Sequence, residues 1–66
     1  MRIKINVGRI RTRMADKDLT ITAMAKETGI SRSSFDRIFK DGLCTAFMIG
    51  KIAKVLDIPV WELVDK

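Results

Sequence analysis

The apolar positions of this chain fall into stretches of helical spacing, separated by residues that start and stop helices. Val7, Ile10 and Met14 stand at i, i+3 and i+7 behind a capping Asn6, which predicts a helix over about 7–16 with that stripe inward. Ile21, Ala23 and Met24 form the apolar side of a second helix, capped by Thr20 and broken at Gly29. Ile30 follows as a buried turn residue. Ser31 then caps a third helix with Phe35 and Ile38 inward, Phe39 beside them, and a left-handed Gly42 at its end. After a short connection Thr45 caps a fourth helix, whose inward stripe is Ala46, Ile49, Ile52, Ala53 and Leu56. Asp57 leads out, Ile58 anchors, and Pro59 stands at the first position of a short fifth helix, where Val60, Leu63 and Val64 close the core. Residues 1–5 alternate instead, with the period of a strand. Such a strand needs a partner, either the C-terminal residues or another subunit; the other reading is a ragged terminus anchored by two isoleucines. The pattern as a whole predicts an all-α, five-helix domain with or without that N-terminal strand.

The polar positions single out the third helix. Arg32, Ser33, Ser34, Asp36, Arg37 and Lys40 all fall on its outward side, a set of hydrogen-bonding side chains on a short cationic helix that suits a major groove. Small Ala25, four residues before Gly29, stands where the second and third helices must approach closely. The plainer reading is a solvated amphipathic helix carrying an ordinary Arg32–Asp36 ion pair at i, i+4. Charge bears on the choice. The net charge is +5, and residues 1–13 hold five basic residues (Arg2, Lys4, Arg9, Arg11, Arg13) and no acid. A basic end beside a cationic helix suggests a phosphate-facing surface, against the alternative of a face kept soluble by arginine.

Residues 19–42, LTITAMAKETGISRSSFDRIFKDG, resemble the helix-turn-helix of the phage Cro/cI repressor (XRE-type) family, which often reads L-T-Q-x-x-L-A-x-x-T-G-I-S-x-S-T-I-S-R-I-x-x-G. The match falls at Leu19, Thr20, Ala25, Thr28, Gly29, Ile30, Ser31, Ser33, Arg37, Ile38 and Gly42, with Met24 and Phe35 replacing the usual apolar Leu and Ile. The opening MRIKIN resembles short single-domain members, and the run from Thr45 to Val64 resembles the family's last two helices, so the likeness covers essentially the whole chain. It implies base readers at Arg32, Ser33 and Arg37, with Ser34 close to the backbone. Asp36 either accepts from a cytosine or holds Arg32 straight. Lys40 and the Gly42 amide are implied on the phosphate backbone. Many relatives carry Gln where this chain has Ile21; the Thr20 and Thr22 hydroxyls and the free amides of that helix end remain to bind a phosphate.

Phe47, Met48 and Trp61 are apolar where the family is usually polar, and neither Phe47 nor Trp61 lies on an inward stripe. With Val64 they form an expected two-fold interface away from the third helix, with Gly50 allowing a second backbone close. The alternative is that Trp61 folds over the open end of the core and the protein dimerises only on DNA.

Size and composition narrow the rest. Sixty-six residues make one domain, residues 1–66, with no room for a second core. No apolar run approaches the roughly 20 residues of a membrane span, and no signal-type apolar segment follows the basic start. Cys44 is the only cysteine, which excludes an internal disulfide and, with the absences above, points to the cytoplasm. There is no His or Tyr, no glycine-rich phosphate loop and no carboxylate pair with a cleft to share, so an enzyme, a metal, a cofactor and a small-molecule ligand are not expected. Two readings remain. One is a repressor of this family, dimeric on double-stranded DNA; the other is a protein-interaction module of antitoxin or antirepressor type that reuses the fold. Arg32 and Arg37 favour the first, because a protein-binding face would be more apolar there.

Overall fold

The computed structural model describes residues 1–65. Its elements run β1 (Arg2–Lys4), α1 (Val7–Asp16), α2 (Ile21–Thr28), α3 (Arg32–Asp41), β2 (Leu43–Thr45) and α4 (Ala46–Leu56), followed by a single 3-10 turn, Val60–Glu62. No helix among the described residues is long and apolar enough to cross a membrane.

All four α-helices begin where a capping side chain stands. Asn6 accepts a hydrogen bond from the Arg9 amide, Thr20 from Ala23, Ser31 from Ser34 and Thr45 from Met48. Each satisfies one of the amides that an α-helix leaves without an intrahelical acceptor. Gly29 and Gly42 end α2 and α3 at φ 77° and φ 70°, a conformation in which a side chain would be strained. At the bend between those helices the buried Thr28 hydroxyl donates to the Met24 carbonyl at 2.6 Å and accepts from the Ile30 amide at 3.2 Å. With those two bonds the buried hydroxyl is itself satisfied, and it ties the end of α2 to the turn that aims α3.

The core is the predicted one in its main lines. Phe35, Ile10, Met24, Ile49, Ile52, Leu56 and Leu63 are fully buried, with Met14, Ile30, Ile38 and Ala53 around them. Four residues expected inward fall outside it, Ala23 and Val64 being only half-buried. Ala46 is exposed, because the first turn of α4 leaves β2 at the margin of the core and the inward stripe starts at Ile49. Val60, 39% exposed, is likewise a surface residue.

The expected fifth helix is only the 3-10 turn, with Pro59 flanking it in an extended conformation and not as its first residue. The physical reason is what the chain does next. Leu63 inserts into the core while its carbonyl accepts from the Asn6 amide at 2.8 Å, and the Asp65 amide donates to the Lys4 carbonyl at 2.9 Å. Val64 bridges Ile5 in antiparallel fashion. The backbone is drawn out along the N-terminal segment, where a continuing helix cannot follow.

The strand over residues 1–5 is present, and its main partner lies where the sequence predicts a plain connection. β1 pairs antiparallel with β2 in the register Arg2↔Thr45, Ile3↔Cys44, Lys4↔Leu43. Ile5 extends the link through its amide to the Gly42 carbonyl at 2.9 Å. Cys44 points inward from β2 and is buried, and that burial pushes its thiol above the ordinary value, partly offset by the Ile49 backbone. The thiol is a core group held in its protonated, unreactive form.

Candidate nucleic-acid interface

With Phe35 and Ile38 buried, α3 presents Ser33, Asp36, Arg37 and Lys40 to solvent, flanked by Arg32 on one side and half-buried Ser34 on the other. On the α2 flank, the Arg32 guanidinium donates to the Thr22 hydroxyl at 3.2 Å and lies 3.7 Å from the Asp36 carboxylate. Both members of the Arg32–Asp36 pair are largely exposed, so the contact contributes little stability but holds the side chain across the first turn of α3. The same turn is tightened by its serines: Ser31 Oγ donates to Ser34 Oγ at 2.9 Å and lies 3.4 Å from Ser33 Oγ.

Arg37 differs. Among the described residues it makes no ion pair or side-chain hydrogen bond, and it borders a shallow groove between α3 and the sheet. Lys40, one turn towards the C-terminus, is exposed. The Gly42 amide is already bonded to the Ile38 carbonyl at 2.8 Å and its carbonyl receives the Ile5 amide, so both polar groups of Gly42 are used within the fold. Exposed Thr20 caps α2 through its Oγ, 3.0 Å from the Ala23 amide. The amides of Ile21 and Thr22, at the start of that helix, have no intrahelical acceptor.

The basic stretch over residues 1–13 is used in a way the charge count does not reveal. Arg13 Nε donates to the Leu56 carbonyl at 2.9 Å and its Nη2 reaches the Asp57 carbonyl at 3.4 Å, which closes the C-terminal end of α4. That end stops at Asp57 in a left-handed conformation, φ 58°, and a cation there meets the negative end of the helix dipole. Arg9 pairs with Glu62 at 3.6 Å, and the Arg11 guanidinium lies 4.8 Å from the centroid of the Phe39 ring.

The four residues of the expected two-fold interface do not share one surface feature. Phe47 is 74% exposed with the Lys51 ammonium 4.9 Å from its ring centroid, and Trp61 is 67% exposed. Half-buried Met48 lines the groove beside Arg37, whereas Trp61 and Val64 line another with Asn6 and Arg9. Trp61 therefore does not fold over the core.

A capped helix, a glycine bend and a second helix with a polar outer face are the parts of a helix-turn-helix reader of duplex DNA. The chain belongs to the Cro/C1-type HTH DNA-binding domain family, whose model matches residues 9–65. Comparison with curated proteins and with solved structures finds no significant match. Membership makes the chain a DNA-binding regulator by family, with double-stranded DNA as its partner; the family is not typically enzymatic.

Proposed function

We propose that the protein is a sequence-specific transcriptional repressor of the cytoplasm that acts as a dimer on a palindromic operator, with α3 in the major groove. The observation that carries this reading is the outward face of α3, where Arg37 stands uncommitted beside Ser33 and Lys40 while Phe35 and Ile38 fix the helix from beneath. Arg32, Ser33 and Arg37 read bases; the planar fork of arginine matches the O6 and N7 acceptors of guanine. Thr20 and Thr22, with the free amides of α2, and Ser34 and Lys40 take phosphates. Asp36 steadies Arg32, and Gly42 contributes by its turn, which brings the backbone after α3 close to a phosphate strand without an amide to offer.

The two-fold contact is assigned to Phe47 and Trp61, with Met48 and Val64 on the separate grooves beside them, on the exposure of the two aromatics, a residue class enriched at interface centres. Two recognition helices then sit about 34 Å apart, one turn of duplex. Exposed arginines on α3 speak against the antitoxin- or antirepressor-type module that would bind a protein through the same face.

Selection of bound sites from a random duplex library, with binding measured across salt concentration, tests the reading. A palindromic consensus and steep salt dependence are expected; no enriched sequence, or salt-insensitive binding, sinks it. Light scattering on Trp61→Asp tests the dimer separately. A folded monomer with steeper concentration dependence on its operator is expected, and a variant that stays dimeric removes Trp61 from the interface.

A further inference from the structure

The β1–β2 pairing carries a basic side chain from the start of the chain to the flank of α3. In the register Arg2↔Thr45, the inward positions of β1 and its extension are Ile3 and Ile5, and the outward ones are Arg2 and Lys4. Lys4 has a carboxylate partner, Asp65, at 4.0 Å. Arg2 has none among the described residues. With Thr45 it lines the sheet side of the groove that Ser34 and Arg37 line from α3, and no carboxylate lines that groove. Two arginines thus line one small groove that no acidic residue lines, a charge arrangement that favours an anion beside them.

Duplex geometry supplies that anion. A helix lying in the major groove has a sugar-phosphate strand on each side. The α2 flank of α3, with Thr22 and the first amides of α2, faces one strand; the sheet flank, with Ser34, Arg37 and Arg2, faces the other. We infer that β1 belongs to the DNA-binding surface and that Arg2 is a phosphate-contacting residue that acts beside Arg37. The inference rests on the proposal that α3 enters the groove. It adds to that proposal a contact on the second strand, delivered by a segment outside the helix-turn-helix. It also gives the sheet a role beyond joining the ends of the fold. Serine and threonine hydroxyls along the same groove, Ser34 and Thr45, are short donors suited to the same phosphate.

The test is a salt titration of binding to the selected operator and to random duplex for Arg2→Gln and Arg2→Lys, with thermal melting of each variant alongside. Arg2→Gln removes the charge at an exposed position while keeping a polar side chain, and should melt with the parent. It should weaken binding to both duplexes by a similar factor, on the order of tenfold, and make the salt slope shallower by about 0.9 per protomer. Arg2→Lys should restore most of that slope. An unchanged slope in Arg2→Gln overturns the inference, and so does a loss confined to the operator, which would make Arg2 a base reader. If the parent itself bound duplex DNA without salt dependence, the groove-entering reading of α3 would fail first, an outcome distinct from an unchanged slope in the variant.

Discussion

The arginines of α1 and those of α3 are the same residue in two different employments. On α1 each guanidinium is turned to another part of the fold: Arg9 to Glu62, Arg11 to the face of Phe39, Arg13 to the carbonyls that end α4. On α3, Arg37 has no protein partner among the described residues, and Arg32 is held only by the exposed Thr22 and Asp36. Local charge density ranks the two regions the wrong way round, because the first thirteen residues are more basic than α3. What separates them is the competition for each guanidinium. Arg9 and Arg13 have carboxylate neighbours, Glu62 and Asp16, whereas the Phe39 ring engages Arg11 without neutralising it, so what α1 adds to the attraction of a +5 domain for DNA is less than its arginine count suggests. A side chain already bonded to the fold must break that bond to read a base. One left uncommitted need not.

That contrast can be broken at several points. Phe35→Ala removes the fully buried ring beneath α3 and should cost about 3–5 kcal/mol, a large share of what a domain this small possesses. Urea unfolding should therefore show a variant that is largely unfolded, and DNA binding should disappear with it. A melt within a few degrees of the parent means that α3 is not anchored by that residue.

Substituting the uncommitted side chain should do the reverse. Arg37→Ala should leave the melt unchanged, weaken operator binding by about 1–3 kcal/mol and relax preference at one position of each half-site. Arg32→Ala should behave alike, and it also releases the Thr22 hydroxyl and the Asp36 carboxylate to solvent. Equal weakening on operator and random duplex would reassign either residue to phosphate. For the committed class, Arg13→Ala should cost about 1 kcal/mol of stability, since its hydrogen bonds are partly exposed, and leave the preferred sequence as it was. A changed consensus in that variant would erase the distinction between the two helices. The smallest effect is expected of Lys40→Ala, a uniform weakening with a salt slope shallower by about 0.9 per protomer. A shift in preferred sequence would make Lys40 a base reader.

Much of this architecture was legible because its signals are local. Asn6, Thr20, Ser31 and Thr45 each mark a helix start within three residues of the amide they cap, and Gly29 and Gly42 mark stops by their own backbone conformation. The phase of α3 followed from Phe35 and Ile38, and with it the outward set from Arg32 to Lys40. What escaped notice depends on residues far apart in the chain. β2 is three residues long and directly follows a helix stop; only its partner β1 makes it a strand. Arg13 reads as another surface arginine until α4 places its carbonyl end beside α1. The 3-10 turn carried a helix signal in Pro59, and it was overridden by the pull of Leu63 and Val64 towards residues 5 and 6. The groove position of Arg2 follows from strand register, which a basic terminus does not announce.

The small sheet also has a meaning in time. Helices α2 and α3 are joined by a short turn and meet through contacts near in sequence, the kind that form quickly. β1 must instead meet β2 and the segment around Val64, both reached only after most of the chain has been laid down. Closing so long a loop is entropically costly until the surfaces it joins already exist, which makes the N-terminal strand a clasp expected to fasten late in folding. In that order the bend that aims α3 precedes the clasp, and Arg2 takes its place on the groove it shares with Arg37 only once the clasp is shut.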